Sequence, residues 1–161
     1  MRYTLLGLAI TVAAFFHITH ALALDGPAVA AVTEILEELA PERGESVYYD
    51  DQAAADWLEF DEESSGLIAA AGFSPQAWRA AYDSTLKGLI ALIPQDEFDA
   101  VQAGAEEKIV AVPGLTDEQK REMIADWRTH AEQLRALRAE GAAYARTVQP
   151  FEARLRTLAD F

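Results

Sequence analysis

The chain has 161 residues, 51% apolar and 25% charged, close to the averages of about 45–50% and about 25% for soluble globular domains, which excludes a disordered or collagen-like chain. Its formal net charge is −14, unevenly spread: residues 24–112 hold 19 Asp and Glu against 4 Lys and Arg, while residues 113–161 hold 8 of each. Nucleic-acid affinity comes largely from Lys and Arg displacing counterions at phosphates, so this sign excludes a nucleic acid and disfavours anionic membranes. It suits a cationic partner or plain solvation.

Arg2, the 12-residue apolar run Leu5–Phe16 and the small-x-small triplet Ala21-Leu22-Ala23 predict a cleavable signal peptide over residues 1–23. The run falls short of the roughly 20 residues that cross a bilayer, so no stable membrane insertion is expected. Residues 24–161 remain for a single helical domain. The chain has no cysteine, which removes disulfides, thiolate metal sites, covalent haem and a lipidated N-terminal Cys together. Export without disulfides points to a periplasmic protein, with secretion to the medium as the alternative.

Helix punctuation follows, with almost no strand signal. Gly26-Pro27 opens a first helix with Val29, Val32, Ile35, Leu36 and Leu39 on one face, ended by Pro41 and Gly44. Val47-Tyr48-Tyr49 is the one place a strand could start, and Asp51 to Phe60 reads as a short helix. Ser74-Pro75 starts a helix through Trp78, Tyr82, Leu86, Leu89 and Ile93 to Pro94. Gln95 to Val112 repeats the pattern with Phe98, Val101, Ala105, Ile109 and Val112, up to the Pro113-Gly114 break.

Thr116-Asp117-Glu118-Gln119 is a capping box opening a long C-terminal helix. Trp127, His130, Leu134, Leu137, Gly141, Tyr144, Val148, Phe151, Leu155 and Leu158 fall at alternating steps of three and four, a heptad seam that packs lengthwise on another helix of this chain or of a homodimer partner. Pro150 cannot donate to the Arg146 carbonyl, so a kink is expected near Thr147–Gln149. If the seam is internal, Leu137 and Phe151 are deeply buried. The resulting fold class is all-α: a single-domain bundle of about five or six helices.

Among groups that carry chemistry, His130 is the only histidine beyond the leader, and Asp126 lies four residues before it on the same helical face. The pair is a weak metal candidate, because a transition-metal site takes three or four ligands. No Gly-x-Ser-x-Gly elbow is present, and no cofactor motif stands out. The densest carboxylate run, Asp50-Asp51, Asp56, Glu59 and Asp61-Glu62-Glu63, does not match a calcium-binding EF-hand. Its acids would serve glycoside hydrolysis only if geometry paired them. Tyr48, Tyr49, Trp57 and Phe60 interleave with Asp50, Asp51, Asp56 and Glu59, and aromatic faces beside acids form a patch for a cationic peptide. The simpler account makes these acids a solvated face and Trp57 and Phe60 a buried helix edge.

Leu115-Thr116-Asp117-Glu118-Gln119 and the charged helix after it resemble the Leu-Thr-x-x-Gln motif of the periplasmic Spy/CpxP stress proteins. The resemblance covers about 25 residues. It implies a small all-helical dimer that binds unfolded proteins or a sensor domain. That family usually repeats the motif and presents a basic, Met-rich surface, whereas this chain carries it once, unless Phe73-Ser74-Pro75-Gln76 is a remote copy, and is acidic. The expected function is an exported, non-catalytic interaction protein that binds another envelope protein or a cationic peptide, without a cofactor; a small-ligand or metal-binding bundle is the alternative.

Overall fold

Asp25 sets the first helix, α1 (Gly26–Arg43): its carboxylate accepts from the Ala28 amide at 2.9 Å, and proline occupies the first turn, where a missing N–H leaves nothing unpaired. Gly44 ends it at φ 70°, a left-handed conformation that a side chain would oppose, with its N–H on the Ala40 carbonyl. The structure, a computed structural model, describes residues 24–159; the signal peptide expected over residues 1–23 lies outside the described residues. No described helix is long and apolar enough to cross a membrane.

The chain then forms α2 (Ala53–Glu63), the single turn α3 (Leu67–Ala70), α4 (Pro75–Leu92), α5 (Gln95–Ala111), α6 (Asp117–Gly141), α7 (Ala145–Val148), a 3₁₀ turn at Gln149–Phe151, and α8 (Glu152–Leu158). The all-α class holds, with more helical pieces than the expected five or six. Local signals act as their chemistry dictates. The Ser74 hydroxyl accepts from the Ala77 amide at 3.2 Å, and Thr116 and Gln119 form both bonds of the capping box. The candidate strand at residues 47–49 shrinks to one parallel bridge between Val47 and Ala159.

One hydrophobic core gathers the apolar faces of α1, α2 and α4 with Ile68, Val148, Leu155 and Ala159. Trp57, Trp78, Tyr82, Leu36, Leu39, Leu86 and Leu89 are among its fully buried side chains, each contributing on the order of 1.5–3 kcal/mol by leaving water. Polar anchors fix the stacking: Trp78 Nε1 donates to the Ala54 carbonyl at 2.8 Å, and the Tyr82 hydroxyl donates to the Tyr48 carbonyl.

The C-terminal seam departs from expectation in where it breaks. Pro150 does perturb the helix, in the 3₁₀ turn, but α6 has already ended at Gly141 and the chain turns over residues 142–144. At that end the elements cross closely: a Cβ at Gly141 would sit 1.9 Å from the Lys87 carbonyl oxygen, and one at Gly88 would sit 2.6 Å from Val148 Cγ2. Only glycine lets the backbones of α4 and the α6 end approach so closely. Seam residues Gly141, Val148 and Leu155 are buried, whereas Leu137 and Phe151 are half-buried.

From the end of α4, α5 turns away and the first half of α6 runs back along it, forming an arm. No residue from Gln95 to Gly141 belongs to the main core. On α5 only Phe98 is buried, and Val101 and Val110 are 58% and 56% exposed although the periodicity placed Val101 on the packing face.

Candidate functional site

Where the arm leaves the body, the two do not close on each other. A cleft of about 260 Å³ opens between the loop Ser46–Tyr49, the end of α4 at Ile90 and Ile93, the α5 face of Glu97, Phe98, Val101 and Gln102, and Leu134 of α6. Its lining is mostly carbon, and its volume lies just under the roughly 300–1,000 Å³ of ordinary small-molecule pockets. A shallower groove continues along the arm past Ala100, Gly104, Ala105 and Lys108 to Trp127, sharing Glu97 and Val101 with the cleft.

Local interactions hold each wall. Val47 is pinned by its amide donating to the Leu158 carbonyl at 2.8 Å. Tyr48 is held at both ends, its carbonyl by the Tyr82 hydroxyl and its own hydroxyl donating to Asp56 Oδ2 at 2.7 Å. Phe98 lies under the Arg138 guanidinium, 5.3 Å from ring centre to Cζ, and Arg138 also donates to the Ile93 carbonyl and to Gln95 Oε1 at 2.6 Å each. Trp127 Nε1 donates to the Gln102 carbonyl at 3.4 Å. Burial raises the Tyr49 phenol above its ordinary value, and burial together with the Asp56 carboxylate raises that of Tyr48. The neutral Tyr48 phenol is thereby kept as the donor to Asp56.

Of the residues chosen from sequence, Tyr48 and Tyr49 line this cleft; the others are spread around α2 in separate roles. Asp50 accepts from the amides of Gln52 and Ala53 at 2.7 Å each, capping α2. Asp51 and Glu59 are exposed, and Asp56 is occupied by Tyr48. Trp57 is fully buried, and Arg43 stands over its ring at 4.9 Å and over Phe60 at 5.9 Å. Of the aromatic faces expected to take an external cation, those of Trp57 and Phe60 already carry one from this chain. Asp61, in the same acidic run, is a buried structural carboxylate that accepts from Leu67 and Ile68 amides at 2.8 and 2.9 Å.

Asp126 and His130 are both exposed on α6, and the His130 ring packs against Trp127 with centroids 5.7 Å apart. Among the described residues no group of three or more His, Cys, Asp or Glu side chains is placed to hold a metal. Sequence reasoning missed Ile90, Ile93, Phe98, Val101, Gln102 and Leu134 as site residues. Periodicity marks Ile93, Phe98, Val101 and Leu134 as packing residues, and only the departure of α5 from the body turns that face into a cleft wall.

The fold and the cleft define an all-α helical bundle with a projecting helical arm. Compared with known proteins, the chain matches no family model, no curated protein and no solved structure.

Proposed function

We propose that this chain is an exported, periplasmic, non-catalytic binding protein that takes up an apolar segment of a basic protein or peptide in the cleft between arm and body. The observation that carries the reading is the cleft: aliphatic and aromatic side chains stand open at a junction within the acidic part of the chain. An apolar cavity gives affinity through burial, and the 19-to-4 acid excess of residues 24–112 selects a basic ligand and speeds its approach. The leader expected over residues 1–23 and the Leu115–Gln119 likeness to the periplasmic stress proteins support the same class. Homodimerisation through the C-terminal seam has less to offer, because Gly141, Val148 and Leu155 are already covered within the chain.

The test is calorimetric titration of the chain, recovered after expression with its own leader, using two blocked nine-residue peptides. Each has a central Leu-Leu pair, flanked in one by Lys and in the other by Glu. The Lys-flanked peptide binds with an affinity that falls as salt rises, and the Glu-flanked one binds at least tenfold more weakly. Val101→Lys, at an exposed wall position, weakens the first without lowering thermal stability. Equal affinity for both peptides removes the charge argument; binding that survives Val101→Lys unchanged removes the cleft. Uptake of a small apolar molecule with no peptide binding transfers the cleft to the small-ligand alternative.

A further inference from the structure

The four large hydrophobic side chains that stand exposed among the described residues, Val101, Val110, Val112 and Met123, all belong to the arm. Val101 lines the groove along α5, and the α5 residues of that groove have an internal order. Glu97, Ala100, Val101, Gly104, Ala105 and Lys108 follow one another at helical spacing and share one face. They also fall into three pairs, Glu97 with Lys108, Ala100 with Ala105, and Val101 with Gly104, and every pair is centred between Gln102 and Ala103. Just beyond the ends of the helix, Ile93 of the cleft wall and Val112 have the same centre. In a two-fold interface a contact from one residue to another is repeated in reverse, so an antiparallel pair of identical helices joins residues equidistant from such a centre. That rule sets valine against glycine, alanine against alanine, and acid against base.

We infer that this face binds a second copy of the chain, with α5 antiparallel to α5 of the partner across a two-fold axis beside Gln102 and Ala103. Each Val101 side chain enters the space at the other copy's Gly104, where an added Cβ would meet nothing within 4 Å. Lys108 has no ion pair among the described residues and reaches the partner's Glu97, a side chain that is 43% exposed despite its link to Arg156. A parallel pairing would set Lys108 on Lys108 and Glu97 on Glu97, so charge selects the antiparallel register. Asp96 and Glu107 are exposed at the border of the face and approach each other across the axis. Together with the net charge of −14 on each copy, they oppose association until salt screens them. The apolar contact therefore supplies the affinity, and the Glu97 to Lys108 link fixes the register. About 25 Å of helix, at roughly 1.5 Å per residue, is a short contact for a permanent interface, so monomer and dimer coexist at concentrations on the order of tens of micromolar. Glu97 and Val101 also line the cleft, and a partner's arm and a bound peptide compete for them.

The experiment is sedimentation equilibrium of the chain, recovered after expression with its own leader and free of peptide, across the micromolar range. The wild type dimerises, and the dimer tightens as salt rises, the opposite of the salt effect on the Lys-flanked peptide. Gly104→Leu fills the space that receives the partner's Val101 and weakens the dimer by about tenfold or more. It does so although it adds apolar surface, and it leaves helical content and melting temperature no lower, since Leu favours helix over Gly. Non-specific association through the arm grows stronger in that variant, and such a result overturns the proposal. Lys108→Glu also weakens the dimer, and adding Glu97→Lys recovers part of the loss by exchanging the two charges. Glu107→Lys tightens it at low salt. A wild type that stays monomeric up to about a millimolar overturns the dimer, and a dimer indifferent to both Gly104→Leu and Lys108→Glu overturns this face. Neither result bears on the peptide titration of the cleft, which is a separate measurement.

Discussion

Helices α4 and α5 are nearly equal in length, 18 and 17 residues, and both show apolar residues at helical spacing, yet α4 buries eight residues and α5 buries one. The difference lies in what stands opposite. α4 is surrounded by α1, α2, α7 and the end of α6, whereas α5 has α6 as its main neighbour. The arm is held largely by polar links: Arg128 to Glu106 at 2.8 and 2.9 Å, Lys120 Nζ to the Val110 carbonyl at 2.7 Å, and Arg156 to Glu97 at 3.2 Å. Exposed pairs of this kind contribute about 0–1 kcal/mol each. Periodicity identifies a face, and a partner decides whether that face becomes core or binding surface. The body is therefore the cooperative unit and the arm a segment of lower local stability.

The largest expected contrast is between truncations in the two regions. Trp78→Ala deletes a fully buried ring and its bond to Ala54 and destabilises by about 3–5 kcal/mol in urea unfolding. Val101→Ala, in the arm, changes stability by no more than about 0.5 kcal/mol. Comparable losses would mean that arm and body unfold as one. Next comes Gly141→Ala, whose new Cβ collides with the Lys87 carbonyl. Its cost stands near the top of the roughly 1–3 kcal/mol typical of overpacking, because backbone and not a flexible side chain must move. Phe98→Ala sharpens the comparison from the other side. It removes the one large side chain that roots α5, so hydrogen exchange loses protection across residues 95–111 while the amides of α1 and α4 keep theirs.

These contrasts also show how much of the molecule was legible beforehand. Helix starts at Ser74 and Thr116 and the stop at Gly44 were legible because caps are local chemistry. The close crossing at Gly141 was not, because it involves Lys87, 54 positions earlier. Asp61 looked like its acidic neighbours until its bonds to Leu67 and Ile68 placed it inside. Tyr48 and Tyr49 were found through aromatic content, while the opposite wall, Ile90 to Gln102 with Leu134, was hidden among core-like residues. Gln102 carries no signal in the sequence; only its place in the cleft wall marks it.

A smaller effect separates the regions at alkaline pH. Burial raises the phenols of Tyr48, Tyr49 and, furthest, Tyr82, all in the body, above the ordinary value of 10.0. A group whose folded value is raised gives stability that is complete below its unfolded value and lost as pH climbs above it. The body therefore weakens progressively above about pH 10, the unperturbed phenol value. Tyr82→Phe flattens that loss while removing the bond to the Tyr48 carbonyl. Absorbance of tyrosinate follows the unfolding, and titration of all three phenols before the helical signal falls would contradict their burial.

The smallest effect tests the comparison most directly, because it sets chemically identical pairs in the two regions. Arg154 holds Glu37 below the ordinary carboxylate value in the body, through its hydrogen bonds first and its charge second, and Arg128 does the same for Glu106 in the arm. A lowered carboxylate gives stability that is present above its unfolded value and lost as pH falls through the folded one. Each pair thus supports its region at neutral pH and releases it below about pH 4.5, near the ordinary Glu value. Both pairs are solvent-exposed, so the effects are slight and shrink with added salt. Arg154→Met flattens the acid limb of global stability, since Glu37 and Arg154 join α1 to α8 at the surface of the body. Arg128→Met leaves that limb unchanged and alters only exchange rates of the arm amides, if the arm opens before the body unfolds. An equal change in global acid stability from both variants would show that the arm is part of the cooperative unit, and that its exposed apolar face is held more firmly than its burial implies.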